Sequence, residues 1–329
     1  MEYGITATLG PGSNKAATWQ EMLAAGATAF RLNTSHLTLA QLGPWLEAYA
    51  AFSTPLKTRP ALVLDLQGSK WRLGRFSAAD LRAGQIIDLV NAAESDQAQS
   101  LPVPHADFFE AAQTAGDEIV LNDARVRLKV EQRGLTALRC VVTLGGRISS
   151  NKGITFVQSS FRKEALSEKD KQIFEETRHF SFVQYAVSYI KDADEMARYR
   201  KLMGRQVYLV AKLERAGAVL DDSARIARLA DEMWLCRGDL GAEMGMRGMA
   251  RAALEFSRKV ERCRVPVYLA GQVLEHMSEQ PTPTRSEICY IYEALVRGYR
   301  GLVLSDETAV GRFPVESCRA AALFRGEGG

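Results

Sequence analysis

An α/β fold, an eight-stranded (β/α)8 barrel carrying an inserted β-rich module, is what this 329-residue chain predicts. Three observations lead there. Eight short apolar runs recur along the chain, stretches of helical period lie between them, and the alternation gives way to β-type runs between residues 73 and 153.

The expected strands lie at 5–9, 27–32, 61–66, 183–187, 206–210, 232–235, 267–270 and 301–304. Helical patterns lie at 15–24, 167–179, 192–203, 249–260 and 285–297, with a final helix at 314–324. Eight strand–helix units point to closure into a barrel; an open doubly wound sheet is the competing arrangement. Between 73 and 153 the runs 86–90, 118–121, 125–130 and 135–142 read as strands, with one helix around 106–114. The module would divide the barrel into 1–72 and 154–329, with no C-terminal domain to follow. A lid over a barrel mouth is a natural role for such an insertion; a plain surface domain also fits the pattern.

Composition narrows the function. The net charge is +3 and the apolar fraction 47%, so the whole surface is no polyanion binder and any anion site must be local. The five cysteines are scattered without metal-ligand spacing, as for reduced thiols in a cytoplasm. No leader pattern opens the chain and no apolar run reaches the ~18 residues of a membrane span. A cytoplasmic protein with small-molecule substrates is expected, with neither nucleic acid nor membrane as partner; a homo-oligomer stays open.

The chemistry gathers at strand ends. The segment Val210-Ala-Lys212-Leu-Glu214 reads as a buried strand ending in an ammonium and a carboxylate two residues apart. Residues two apart on a strand share a face, so Lys212 and Glu214 project together. Charges after such an apolar run are costly unless they meet a ligand or metal. Asp239 follows the next strand in Arg237-Gly-Asp-Leu-Gly241. Acids at neighbouring strand ends can share one divalent ion, here Mg2+ or Mn2+, with substrate oxygens completing its shell. Arg31, Asn33 and Ser35 follow the second strand, Asp65, Lys70 and Arg72 the third, and Ser305 and Glu307 the eighth. Arg31, Arg72 and Lys212 supply the positive charge that phosphoryl groups need. Gly238 and Asp239 lie where a helix would start, and its amides suit a carboxylate. A barrel-interior ion pair would also explain Lys212 and Glu214, and a simple turn Gly238. Trp71, beside Arg72, could stack on a nucleotide or pack in a core.

These residues fall in motifs that resemble those of the pyruvate kinase family. Thr8-Leu-Gly-Pro-Gly-Ser13 is similar to its T-x-G-P-x-S, and Arg31-Leu-Asn-Thr-Ser-His36 to its R-x-N-x-S-H. Ala211-Lys-Leu-Glu214 resembles S-K-I-E, Arg237-Gly-Asp-Leu-Gly-Ala-Glu243 resembles R-G-D-L-G-x-E, and Leu304-Ser-Asp-Glu-Thr-Ala309 resembles L-S-G-E-T-A. The resemblance implies a TIM barrel with a β-rich B domain as lid, and phosphate transfer between phosphoenolpyruvate and ADP giving pyruvate and ATP. Lys212 would contact the phosphate and Arg31, Ser305 and Glu307 would join it in catalysis. Glu214 and Asp239 would hold the metal, while Arg31, Asn33, Arg72, Lys70, Gly238, Asp239 and Gly271 would line the substrate and nucleotide site.

The chain departs from that pattern in ways that matter. The family's C-terminal effector domain would be missing. Its A-T-Q-M is Ala270-Gly271-Gln272-Val273 here, so the hydroxyl linked to protonating the enolate is absent. That leaves a different acceptor or keto acid, or a binding paralogue, as alternatives. Asp65-Leu-Gln-Gly-Ser-Lys70 replaces the stretch whose glutamate helps create a need for K+. Lys70 in its place resembles the potassium-independent branch, so no K+ is expected at Asn33, Ser35 and Asp65.

Overall fold

Strand β1 (Gly4–Leu9), helix α1 (Ala16–Ala24), β2 (Ala29–Asn33), α2 (Leu39–Ser53) and β3 (Ala61–Leu66) open the chain. The short strands β4 (Ala79–Leu81), β5 (Ile86–Val90) and β6 (Ser100–Pro102) follow, then α3 (Ala106–Ala111), β7 (Glu118–Leu121), β8 (Val126–Arg133), β9 (Ala137–Leu144), β10 (Gly146–Ile148) and β11 (Ile154–Phe156). The alternation resumes with α4 (Glu168–Thr177), β12 (Val183–Val187), α5 (Ala193–Met203), β13 (Leu209–Leu213), α6 (Ala216–Leu220), α7 (Ser223–Ile226) and β14 (Glu232–Cys236). It ends with α8 (Arg237–Ser257), β15 (Val267–Ala270), α9 (Arg285–Val296), β16 (Gly301–Leu304), α10 (Asp306–Ala309) and α11 (Pro314–Ala321). This computed structural model describes residues 1–68, 71–112, 115–121, 126–157 and 166–326. Lys70, the last two residues of the helix expected at 106–114 and the first residue of the strand expected at 125–130 lie outside the described residues.

The chain forms two compact units. One comprises Met1–Gly68, Leu166–Arg237 and Arg251–Gly329; the other comprises Ser69–Ala165 and Gly238–Ala250.

In the first unit eight parallel strands close in the order β1-β16-β15-β14-β13-β12-β3-β2, so the open sheet is excluded. Val63, Ala186, Val210, Trp234, Ala270 and Val303 fill the interior, with Tyr208 and Tyr268 packed against them. Helix starts match their capping residues. Thr38 and Thr284 form capping boxes with Gln41 and Glu287, while Ser167 and Asp192 accept amides of Asp170 and Glu195.

Two expected elements move. The strand expected at 206–210 runs instead over Leu209–Leu213. Arg200 donates to the carbonyls of Gly204 and Val207, and the Leu209 amide to Asp231, so the turn from α5 takes up the first residues. Lys212 therefore lies within the strand, paired in register with Trp234. The helix expected at 249–260 begins at Arg237, directly after β14, and is broken at Gly245, where φ is 70°.

The second unit carries a six-stranded sheet, β11-β7-β8-β9-β5-β6, and a two-stranded pair, β10-β4. β11, expected to belong to the barrel from residue 154, pairs with β7 instead. Trp71 and Leu73 sit in this unit's core with Ile87, Phe108 and Phe156. The Trp71 ring meets Phe108 edge-on at 5.3 Å and its indole N–H donates to Asp107, 3.1 Å away. At 3% exposure it is a core residue and has no face left for a nucleotide. No helix among the described residues is long and apolar enough to cross a membrane.

Candidate active site

Where the strands of the first unit end, an ionic cluster is buried. Asp65, the fifth residue of β3, is its centre and is 2% exposed. Its Oδ2 accepts from Nε of Arg31 at 2.9 Å, from Nη2 of Arg31, and from Nζ of Lys212 at 3.0 Å. Its Oδ1 accepts from Ser188 Oγ at 2.9 Å, and that hydroxyl in turn accepts from Lys212 Nζ at 2.8 Å.

Lys212 also lies 3.0 Å from Glu214 Oε1. The expected common projection of these two residues is therefore present, but the ammonium is shared between two carboxylates and a hydroxyl. Glu214 Oε2 accepts the Tyr189 amide at 2.6 Å. Tyr189 has φ of 65°, which aims that amide at the carboxylate; such a conformation in a bulky residue marks a constrained site. Arg31 spends three of its five donors here, two on Asp65 and one on Thr8 Oγ1 at 2.8 Å.

The charges set one another's protonation. Burial works to raise the Asp65 pKa, but Lys212 and Arg31 outweigh it and hold the carboxyl at about 2. Burial works to lower Lys212, and Asp65 and Glu214 overcome it, so the ammonium stays charged. Cys236, at the end of β14, feels burial first and the Glu214 charge second. Its thiol is pushed well above the usual range and stays protonated.

The other expected residues are placed as follows. Asn33 accepts the Ser35 amide through Oδ1 at 3.1 Å and so shapes the turn after β2. Ser305 stands just before α10, and its amide donates to Glu307 Oε2 at 2.9 Å. Glu307 is wholly buried and its Oε1 accepts the Leu274 amide at 3.2 Å. It ties the loops after β15 and β16 together. Burial lifts its pKa to about 7 against the pull of those amides. Gly271 has φ of 80° and Gln272 φ of 55°. Arg237 donates to both their carbonyls and lies over the Tyr290 ring. Gly238 and Asp239 form the first turn of α8, and Arg72 donates to the Asn151 carbonyl in the second unit. Lys70 lies outside the described residues.

Sequence reasoning gave Asp65 a secondary place and missed Ser188, Tyr189 and Thr8. A single carboxylate inside the apolar run Ala61–Leu66 was the available signal, since a lone buried charge needs partners. The donor set suits a hard cation. Glu214 brings carboxylate oxygens, the ligand type that hard divalent cations take. Among the described residues no three His, Cys, Asp or Glu side chains gather as a metal cage. A divalent ion would thus draw part of its shell from substrate oxygens, as Mg2+ commonly does.

A family model described as pyruvate kinase, barrel domain, matches residues 2–318. The pyruvate kinase of Agrobacterium vitis is 32% identical over 316 residues, covering 95% of this chain and 65% of that protein. That of Methylorubrum extorquens is 32% identical over 317 residues, covering 95% and 66%, and that of Thermococcus litoralis 29% over 323, covering 97% and 68%. The chain thus spans about two thirds of the length of these relatives. With its closed barrel, its buried Lys212–Glu214 pair and a family match over nearly its whole length, the chain belongs to the pyruvate kinase family.

Proposed function

We propose that the protein is a phosphotransferase that moves a phosphoryl group between phosphoenolpyruvate and ADP, giving pyruvate and ATP. In that reaction the enol phosphate P–O bond breaks and the phosphorus bonds to a terminal oxygen of ADP. The enolate left behind takes a proton at carbon. Little covalent chemistry falls to the protein, which positions the reactants and neutralises charge.

The observation that carries this reading is the ammonium of Lys212, buried and kept charged between Asp65 and Glu214. In a water-poor site such a charge acts strongly on a moving phosphoryl group. Arg31, fixed by Asp65 and Thr8, offers its remaining donors to phosphate oxygens. Arg72, Lys70 and Asn33 would join it in binding substrate and nucleotide, and the first turn of α8 at Gly238 and Asp239 would meet the carboxylate. Glu214 and Asp239 would hold Mg2+ or Mn2+, which when bound polarises phosphoryl oxygens as a Lewis acid. Ser305 lines the same end of the barrel. The inserted β-rich part as a lid, the cytoplasmic setting and an oligomer through barrel helices belong to this proposal.

A second reading is favoured by one residue. Gly271 has no hydroxyl to relay a proton to the enolate, so another acceptor or keto acid could be the native substrate. ATP formation from phosphoenolpyruvate and ADP with Mg2+ decides between them. Turnover is expected, unchanged when K+ replaces a bulky organic cation at constant ionic strength. No ATP from folded protein, with Mg2+ and then Mn2+, would transfer the case to the second reading.

A further inference from the structure

Helix α4 begins with a turn whose side chains reach away from the helix. Asp170 is fully buried. Its Oδ1 accepts the Gln67 amide at 3.1 Å and its Oδ2 the Gly68 amide at 3.0 Å. The helix is capped without it, since Ser167 Oγ accepts the Asp170 amide at 3.1 Å. Beside it, Lys169 Nζ donates to the Thr34 carbonyl at 2.6 Å, and Thr34 Oγ1 donates to the Asp65 carbonyl at 2.7 Å. One turn of helix therefore grips the chain just after β2 and just after β3, the two strands that bring Arg31 and Asp65.

The grip leads to the ionic cluster by direct contact. Gly68 has φ of 61°, and a Cβ there would stand 2.1 Å from the Ser188 carbonyl oxygen, so only glycine lets the loop lie against Ser188. Ser188 Oγ bonds both Asp65 and Lys212, and Tyr189 next to it donates its amide to Glu214. A buried carboxylate is costly, and this one directs both oxygens at the amides of a distant loop. The cost makes sense if the loop must stay in place.

We propose that Asp170 and Lys169 are positioning residues: through the Gln67–Gly68 amides and Thr34 they hold Ser188, Asp65 and thereby Lys212 in the geometry the cluster needs. Only the turnover arm of the test rests on the function proposed above.

The decisive variant is Asp170→Asn. The new amide group would face one backbone N–H donor to donor, so one of the two bonds is lost while side-chain volume is kept. Hydrogen exchange at Gln67 and Gly68 should rise about tenfold. It should also rise at the Tyr189 amide, which lies outside the immediate bond. With phosphoenolpyruvate and ADP, kcat should fall on the order of 10-fold to 10²-fold, as for a misplaced catalytic group. KM should stay within about twofold, because the loss falls on the transition state and not on uniform binding. Unchanged exchange at Tyr189, or unchanged kcat despite loosened Gln67 and Gly68, would overturn the proposal. If wild-type protein makes no ATP, the proposed function fails, and exchange at Tyr189 alone decides the positioning role. Should Asp170→Asn not fold, Lys169→Met removes the bond to the Thr34 carbonyl from the same turn. Wild-type exchange at Tyr189 together with wild-type kcat, where there is turnover, would then refute it.

Discussion

At the C-terminal ends of the barrel strands, Asp65 sits among Arg31, Lys212 and Ser188; at the N-terminal ends, Glu232 sits among Trp234, Tyr208 and Tyr268. Both acids are buried within one barrel. Asp65 meets cations and is held at about 2. Glu232, the first residue of β14, meets neutral donors: the Trp234 indole N–H at 2.5 Å and the Tyr208 hydroxyl at 3.1 Å. Burial pushes it to about 7, against those hydrogen bonds. The Tyr268 ring closes the same end over Gly301, where any Cβ would lie 2.4 Å from it. Burial of a carboxylate is thus no sign of chemistry by itself. The end with permanent charge holds the groups proposed to act on phosphate, and the end without it is a hydrogen-bonded plug.

The largest expected contrast comes from truncation. Asp65→Ala takes the carboxylate from buried Arg31 and leaves Lys212 with Glu214 alone, and should cost about 3–5 kcal/mol in urea unfolding. Glu232→Gln should cost about 1 kcal/mol or less, since an amide still accepts one bond and the Tyr208 hydroxyl can reverse its role. Equal losses would erase the distinction between the ends.

Titration should separate them next. A depressed carboxyl such as Asp65 stabilises the fold above its unfolded pKa near 3.8, and that contribution is lost as pH falls through about 2. A raised one acts in the opposite sense: between about 4.5 and 7 folded Glu232 keeps a proton that the unfolded chain releases, so stability falls as pH rises through that window. Glu307, also near 7, adds to the same slope. Melting curves of Glu232→Gln should show a shallower decline from pH 5 to 7. A slope identical to wild type would show that Glu232 does not carry it.

The smallest effect concerns Gly271. The missing hydroxyl invites Gly271→Thr as a repair, but φ of 80° disfavours a β-branched residue at about 1–3 kcal/mol. The variant should melt lower and gain no turnover. Wild-type stability with faster turnover would mean the loop relaxes and that the hydroxyl was the only thing lacking.

Much of this architecture was readable beforehand. The strands Ala61–Leu66, Val183–Val187, Val267–Ala270 and Gly301–Leu304 show as apolar runs, and the two-residue spacing of Lys212 and Glu214 gave their common face. What could not be read was partnership. Asp65 and Lys212 are 147 residues apart, and nothing local to either says they meet. Glu307 looked like a free charge at a strand end because its two amide partners come from different loops. The left-handed backbone at Gly271 and Gln272 is set by Arg237 from another strand end, beyond the reach of a local pattern.

The charged end of the barrel is the end proposed to react. Its most direct test is ATP formation from phosphoenolpyruvate and ADP by Lys212→Met and Glu232→Gln side by side, each first shown to be folded by its melting curve. Lys212→Met should lose about 10²–10³ in kcat, the usual cost of removing one charge-stabilising contact, while Glu232→Gln keeps wild-type turnover. Equal turnover in the two variants, or a greater loss in Glu232→Gln, would contradict it.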